Sequence, residues 1–325
     1  MSLNKQKTIG ILTSGGDAPG MNAAIRAVAR SAINKGMRVF GVRRGYNGLI
    51  DGDMFEMNIR SVSEIIHRGG TVLYTARSTE FNTPEGVLKA KETCVRKGIE
   101  GLVTIGGDGT FRGARDLCNV GISCIGIPGT IDNDISCSEY TIGFDTALNT
   151  AMQMVDKLRD TAMSHDRCSL VEVMGRNSGY MALNTGVACG ALAIVVPEIE
   201  YDLEKDIIEK MLHTQSTGKR HFIIVIAEGC GSAYKLASKI ESRTGIETRA
   251  TILGHVQRGG SPTIQDRVVA SHMGFHAVNL LEQGAGNRVV VMRHGAITDL
   301  DITEGLNMKK TIDFELLKMS QMISI

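Results

Sequence analysis

The chain has 325 residues, more than one average domain, so two are expected, and it can bury a large core without staples. Its 36 basic and 35 acidic residues leave a net charge of +1, with no basic tract for nucleic acid and no acidic tail for disorder. There is no Trp and only 8 Phe and 6 Tyr, which speaks against base-stacking platforms, whereas 38 glycines are well above average usage. The seven cysteines form no C-x-x-C pair and read as free thiols of a reducing cytosol. The polar start, Met1 to Lys7, lacks a signal-peptide core, and no apolar run reaches the roughly 18 residues that span a membrane. A cytoplasmic location is expected.

Thr8 to Thr13 reads as a buried strand, Ser14-Gly15-Gly16-Asp17-Ala18-Pro19-Gly20 as a loop, and Met21 to Ile33 as a helix with Met21, Ile25, Val28 and Ala32 on one stripe. Strand, glycine loop and helix are the layout of a mononucleotide-binding unit. There is no G-x-G-x-x-G and no P-loop lysine. Either the neutralising cation comes from elsewhere, or this is an ordinary strand-to-helix turn. Val39 to Val42 is a second strand. Arg68 to Ser78 reads as loop, short strand and loop, with Arg77 a candidate cation, and Glu85 to Lys97 as a helix.

Next comes Leu102-Val103-Thr104-Ile105-Gly106-Gly107-Asp108-Gly109-Thr110, a buried strand running into a tight loop, with Thr110 expected to N-cap a helix. Glycines at 106, 107 and 109 let backbone N–H groups close on an anion, and the helix start would aim its positive end there. Asp108 beside such a cradle makes sense if Mg²⁺ lies between acid and phosphate. A plain glycine-rich β-turn is the alternative. Ile122 to Ile127 is a strand ended by Pro128-Gly129-Thr130-Ile131-Asp132-Asn133-Asp134.

In the second half, helices are expected over 146–158, 179–188, 203–212, 235–244 and 263–282, and strands over 169–174, 193–197, 221–227, 249–253 and, last, 288–292. The alternation argues for parallel sheets covered on both faces, an α/β fold. No linker marks a boundary.

Asp132 and Asp134 follow a strand, where ligands of open α/β sheets bind; one carboxylate could accept a hydroxyl proton, or the run is an Asx turn. Met174-Gly175-Arg176 and Gly254-His255-Val256-Gln257-Arg258 bring cations beside glycine. With Arg77, Arg167 and Arg249 they form a possible set of anion ligands gathered at strand ends, though each could be a solvated charge. His272 and His276 have a zinc-compatible i, i+4 spacing without an evident third ligand. Arg26 and Arg30 repel unless an anion lies between them, or lie on a solvated face.

The loop 14–22, the loop 106–110, the run 128–134, Met174-Gly175-Arg176 and Gly254-His255-Val256-Gln257-Arg258-Gly259-Gly260 occur in order. Together they closely resemble the bacterial ATP-dependent 6-phosphofructokinases, from about residue 8 to the C-terminus. The resemblance implies two Rossmann-like three-layer α/β domains with mainly parallel sheets and the active site in the cleft between them. An ATP-binding domain would take 1–143 plus 257–307, and a fructose 6-phosphate-binding domain 144–256 plus 308–325. It implies that Gly16, Arg77, Ser78, Gly107, Asp108, Gly109 and Thr110 hold ATP, with Asp108 on Mg²⁺. Asp132 would be the base for the sugar 1-hydroxyl, with Thr130 and Arg176 beside it in catalysis. Thr130, Ile131, Asp132, Met174, Gly175, Arg176, Glu228, His255, Val256, Gln257 and Arg258 would hold fructose 6-phosphate. Arg167 and Arg249 would reach its phosphate from a neighbouring subunit of a homotetramer. An effector site for ADP or phosphoenolpyruvate would use Arg26, Arg30, Arg159, Gly190, Ala191, Leu192, Lys219, Arg220 and His221. Leu192 stands where the family usually has a Mg²⁺-binding Glu, and Thr217 where it has a cation, so weak ADP activation is expected.

Pyrophosphate-dependent relatives typically carry Asp at the position of Gly109 and Lys at that of Gly129; both are Gly here, which favours ATP. A non-catalytic regulatory paralogue would be marked by loss of Asp108 or Asp132, and both are present.

Overall fold

The computed structural model describes residues 6–324. Residues 1–5, which hold most of the polar start, and residue 325 lie outside the described residues. The described strands are β1 (Thr8–Ser14), β2 (Arg38–Val42), β3 (Met54–Met57), β4 (Gly101–Gly106), β5 (Ser123–Pro128), β6 (Cys168–Val173), β7 (Ala193–Val195), β8 (Phe222–Ala227), β9 (Thr248–Ile252), β10 (Arg288–Arg293) and β11 (Ala296–Asp301). The helices are α1 (Met21–Asn34), α2 (Gly45–Asp51), α3 (Pro84–Lys97), α4 (Asp108–Asn119), α5 (Phe144–Ser164), α6 (Tyr180–Ala188), α7 (Glu209–Ser216), α8 (Ala233–Thr244), α9 (Ile264–Glu282), α10 (Ile302–Asn307) and α11 (Phe314–Ile323). The chain forms two compact units. One takes the residues through 131 together with 135–146 and 258–310; the other takes 132–134, 147–257 and 311 onward.

The first unit carries a seven-stranded sheet in the order β11-β10-β5-β4-β1-β2-β3. Its inner pairings are parallel, and β3 and β11 close the two edges antiparallel. Every residue of β1 and β4 is buried, as strands covered on both faces require. The order reverses between β1 and β4, which makes the space outside their carboxyl ends a topological switch point. The α1 stripe of Met21, Ile25, Val28 and Ala32 is fully buried, and α1 packs on α9. Gly274 allows that approach, since a Cβ there would lie 2.8 Å from the Ala27 Cβ. Tyr46 stacks on Phe81 at a centroid distance of 4.0 Å inside the core that also holds Phe111 and Leu102. Each such side chain contributes about 1.5–3 kcal/mol of burial.

The second unit has a four-stranded parallel sheet, β7-β8-β6-β9. Its core gathers Phe222, Ile224, Leu170, Ile207, Met211 and Ile240. β8, with the sequence FIIVIA, is buried throughout and is the apolar run its composition predicts.

Several expectations need correction. No strand forms within 68–78. The Leu73 carbonyl accepts from the Arg44 N–H (2.9 Å) and the Tyr74 carbonyl from Thr13 Oγ1 (2.8 Å), so this segment bonds to loops and to a side chain rather than to a strand. Thr110 caps nothing: α4 starts at Asp108 with Gly107 as N-cap. The helix expected over 203–212 opens as a π-helical turn, Glu204–Ile208, before α7. The elements α2, β3, β11, α10 and α11 were not anticipated. All seven cysteines are free, and no described helix is long and apolar enough to cross a membrane.

Candidate active site

Two glycine loops meet at the switch point of the first unit because Ser14 and Gly106 are register partners at the ends of β1 and β4. Gly106 is obligatory there: a Cβ would lie 2.4 Å from the Ser14 carbonyl and 2.3 Å from Thr110 Oγ1. Thr110 Oγ1 donates to the Ser14 carbonyl (3.0 Å) and ties one loop to the other. The α4 N-terminus opens at its N-cap Gly107, where no side chain caps the helix, and Asp108 sits in its first turn. Nothing lies within 4 Å of a Cβ built on Gly109. The described residues hold no cluster of three or more metal-binding side chains. A single carboxylate beside an anion cradle suits Mg²⁺, which takes one or two carboxylates and completes its shell with phosphate oxygens and water.

The cation that the first loop lacks is present. Arg258 Nη1 donates to the Asp17 carbonyl (3.1 Å) and would lie 2.6 Å from a Cβ on Gly16. The resemblance gives Arg258 to the sugar phosphate; the structure places it in the first unit, against the glycine loop. Arg77 is exposed and its carbonyl accepts from Asn47 Nδ2 (3.4 Å), while Ser78 Oγ accepts from the Phe81 N–H (3.1 Å). Asn22 received no role from the sequence, yet it is 1% exposed and fully engaged. Its amide donates to the carbonyls of Arg68 (3.0 Å) and Gly69 (3.1 Å), and its oxygen accepts from the Val72 N–H (2.8 Å). The usable signal was a polar residue in the first turn of a helix whose other early positions are apolar.

The run after β5 is divided. Thr130, whose carbonyl accepts from Thr141 Oγ1 (2.6 Å), and the buried Ile131 belong to the first unit; Asp132, Asn133 and Asp134 belong to the second. Asp132 is 3% exposed, and its backbone carbonyl accepts from Ser178 Oγ at 3.4 Å. Asn133 (φ 50°) and Arg176 (φ 55°) both hold left-handed backbone, and Arg176 Nη1 lies 3.9 Å from Asp134 Oδ2. Such conformations concentrate at functional sites.

Past β6, the Met174–Arg176 turn is pinned by Glu228 at the end of β8. Glu228 Oε1 accepts the N–H groups of Gly175 (3.2 Å) and Arg176 (2.6 Å). Gly175 has φ 142°, and a Cβ there would lie 2.5 Å from the Ser178 carbonyl. Past β9, Gly254–Arg258 form a 3₁₀ turn with His255 and Val256 exposed. Gln257 is fully buried; its Nε2 donates to the Gly254 carbonyl (3.1 Å) and its Oε1 has no partner.

Arg167 and Arg249 do not join this group. Arg167 precedes β6 and Arg249 is the second residue of β9, at the amino ends of strands whose carboxyl ends lead to Met174 and Gly254. Six residues of strand put about 20 Å between the two ends. There Arg249 and Arg167 flank Glu247, at 2.7 and 3.4 Å, and the Arg249 hydrogen bond, then Arg167, hold the Glu247 carboxyl below its usual range.

Of the residues given to an effector, Arg159, Lys219 and His221 act on one another in the second unit. Burial and then Arg159 lower the Lys219 pKa, and burial, Lys219 and Arg159 lower that of His221. Arg159 also donates to the Cys189 carbonyl, next to Gly190, and Arg220 lies 3.5 Å from Asp166. Arg26 and Arg30 are half-buried on α1 in the first unit, where burial and then Arg30 depress Arg26. Leu192 is 2% exposed and packs into the second core with Phe222 and Met211, beside the buried Ala191. His276, half of the zinc-compatible pair, is bonded to Asp299 (2.8 Å).

A phosphofructokinase family model matches residues 8–281. The chain is 54% identical over 318 residues to an ATP-dependent 6-phosphofructokinase of Clostridium botulinum, covering 98% of this chain and 99% of that one. The structure resembles phosphofructokinase from Saccharomyces cerevisiae with a TM-score of 0.87 and 34% identity, covering 93% of this chain and 45% of the yeast chain, so it spans less than half of the latter. A pyrophosphate-dependent phosphofructokinase from Marinobacter aquaeolei shares the fold at 21% identity with a TM-score of 0.86, covering 95% of this chain and 86% of that one. Gly-rich loops at a switch point, an Asp-rich run after β5 and a match across most of its length make this chain a member of the phosphofructokinase family.

Proposed function

We propose that the chain transfers the terminal phosphoryl group of ATP to the 1-hydroxyl of fructose 6-phosphate. The observation that carries this is the register of Ser14 with Gly106, which gathers two glycine loops, the α4 N-terminus, Asp108 and Arg258 in the first unit. Phosphoryl transfer needs positioning, a metal and a base rather than a covalent nucleophile. Gly16, Gly107, Gly109 and Thr110 cradle the phosphates; Arg258 and the more exposed Arg77 supply charge, and Ser78 orders the segment after Arg77. Mg²⁺ held through Asp108 would neutralise charge on the transferring phosphoryl group. Asp132 takes the proton of the 1-hydroxyl, with Thr130 and Arg176 alongside. Glu228 shapes the Met174–Arg176 turn that, with His255 and Gln257, receives the sugar.

Arg167 and Arg249 face a second copy of the chain in a homotetramer, which explains why one chain places them about 20 Å from its own sugar-binding turns. Arg159, Lys219, Arg220 and His221 form an anion site for ADP or phosphoenolpyruvate, with Arg26 and Arg30 as its counterpart from another copy. The burial of Leu192 supports weak ADP activation, because that position offers no oxygen for Mg²⁺. A coupled assay with fructose 6-phosphate and either ATP or pyrophosphate tests the donor. Turnover with ATP alone is expected, and turnover with pyrophosphate alone would overturn the reading.

A further inference from the structure

Tyr74 has φ 55°, a backbone conformation that bulky side chains rarely adopt. The surroundings impose it. The Tyr74 N–H donates to the Thr71 carbonyl (3.2 Å) and its carbonyl accepts from Thr13 Oγ1 (2.8 Å). On one side the Leu73 carbonyl takes the Arg44 N–H (2.9 Å); on the other Thr75 Oγ1 donates to the Gly15 carbonyl (2.8 Å). Glycine would adopt this conformation without strain. The ring is not compensated by burial, since Tyr74 is 57% exposed. The Arg44 guanidinium lies 5.6 Å from the ring centroid, itself held by Asp53 at 2.6 Å. Arg44 is also left-handed, at φ 56°. Two neighbouring strained residues thus hold one aromatic ring with a cation against it and much of its surface open.

We propose that Tyr74 is a nucleotide-binding residue whose open face stacks on the base of ATP. The inference rests on the placement of the triphosphate on the two glycine loops. Thr75 joins Tyr74 directly to the first of these, and Arg77 follows three residues on. Arg258 and the α4 N-terminus suit phosphate, whereas an exposed ring suits the uncharged end of the nucleotide. Among the described residues of the first unit, the other aromatic that is more than a third exposed is Phe275, on helix α9. Stacking on an aromatic face is sequence-tolerant and strengthened when a cation polarises the ring.

The experiment compares Tyr74→Gly, Tyr74→Phe and, as a control on the cradle, Gly109→Asp. For each, KM is measured for ATP, CTP and fructose 6-phosphate, together with the melting temperature. Tyr74→Gly should raise the ATP KM by about tenfold, the scale of one base–aromatic stack, and narrow the preference for ATP over CTP. The fructose 6-phosphate KM should not move and the melting temperature should not fall, because glycine is at ease at this φ. Tyr74→Phe should behave like the unmodified enzyme. An unchanged ATP KM in Tyr74→Gly while Gly109→Asp impairs ATP would overturn the role of Tyr74 alone. No effect in either variant would overturn the placement of the triphosphate as well. A lower melting temperature with both substrates affected, or an equal defect in Tyr74→Phe, would also overturn the proposal.

Discussion

The two units build their sites in opposite ways. The first relies on missing atoms: Gly16, Gly106 and Gly109 leave room, and the backbone and a helix start provide the donors. The second relies on side chains in place: Asp132 is buried, and Glu228 holds a turn through two amides. The first should therefore be broken by adding atoms and the second by removing them.

The largest effect should come from removal. Asp132→Asn keeps shape and loses the proton acceptor, so kcat should fall by about 10²–10⁴-fold with the melting temperature preserved. Near-normal turnover in the purified variant would end the assignment of the base. Addition comes next. A Cβ at Gly109 meets nothing within 4 Å, so Gly109→Asp should fold normally. Its carboxylate beside the proposed phosphate cradle should lower kcat/KM for ATP by on the order of 10²-fold through like-charge repulsion. Gly109→Ala should be close to neutral in stability, while Gly106→Ala, pressed against the Ser14 carbonyl, should be strongly destabilising. Equal melting temperatures for these two alanine variants would contradict the contrast between the loops.

A third test asks whether the second unit's site is complete within one chain. Arg249→Ala and Asp132→Asn enzymes, each nearly inactive, are unfolded together and reassembled. In mixed tetramers about a quarter of the sites should combine an intact Asp132 with an intact Arg249 from the other copy. Absence of recovery in verified hybrids would place the arginine outside the site. The smallest effect concerns Leu192. Glutamate there would restore an oxygen ligand only by burying a carboxylate beside Phe222 and Met211. A loss of about 3 kcal/mol is expected, read as a drop of several degrees in melting temperature. A stable Leu192→Glu enzyme with stronger ADP activation would show that this side chain turns outward.

Parallel strands such as β1, β4 and β8 were legible because strands buried on both faces are continuous apolar runs. The edges were not. β11 carries Asp299 and Asp301 and mixes exposed with buried positions, so it lacks that signature. α2 holds two glycines within seven residues, which argues against a helix on propensity. Gly48 is required for packing instead, since a Cβ there would collide with the Arg43 carbonyl. The glycine loops and the Asp132 run stood out by composition. The position of Arg258 did not, because an arginine far along the chain reaches Gly16 only through the fold. Nor did the separation of Arg167 and Arg249 from the sugar-binding turns, since which end of a strand a residue occupies depends on the boundary of that strand.

The division of the chain also bears on how the molecule comes into being. The first unit is assembled from three stretches, and its sheet joins β5 to β10, partners more than 150 residues apart in sequence. The second also draws on 132–134 and the residues from 311 onward, but all four of its strands lie within 147–257. During synthesis from the N-terminus, the strands of the second sheet are all available before β10 and β11 exist. The larger sheet must wait with the edge of β5 uncovered, and non-local pairing of this kind is slow and exposed to misassociation. A chain halted after residue 287 would hold a finished four-stranded sheet and only five strands of the larger one, still open along β5, so loss of solubility should track truncation at the C-terminal end more closely than any single change in the glycine loops.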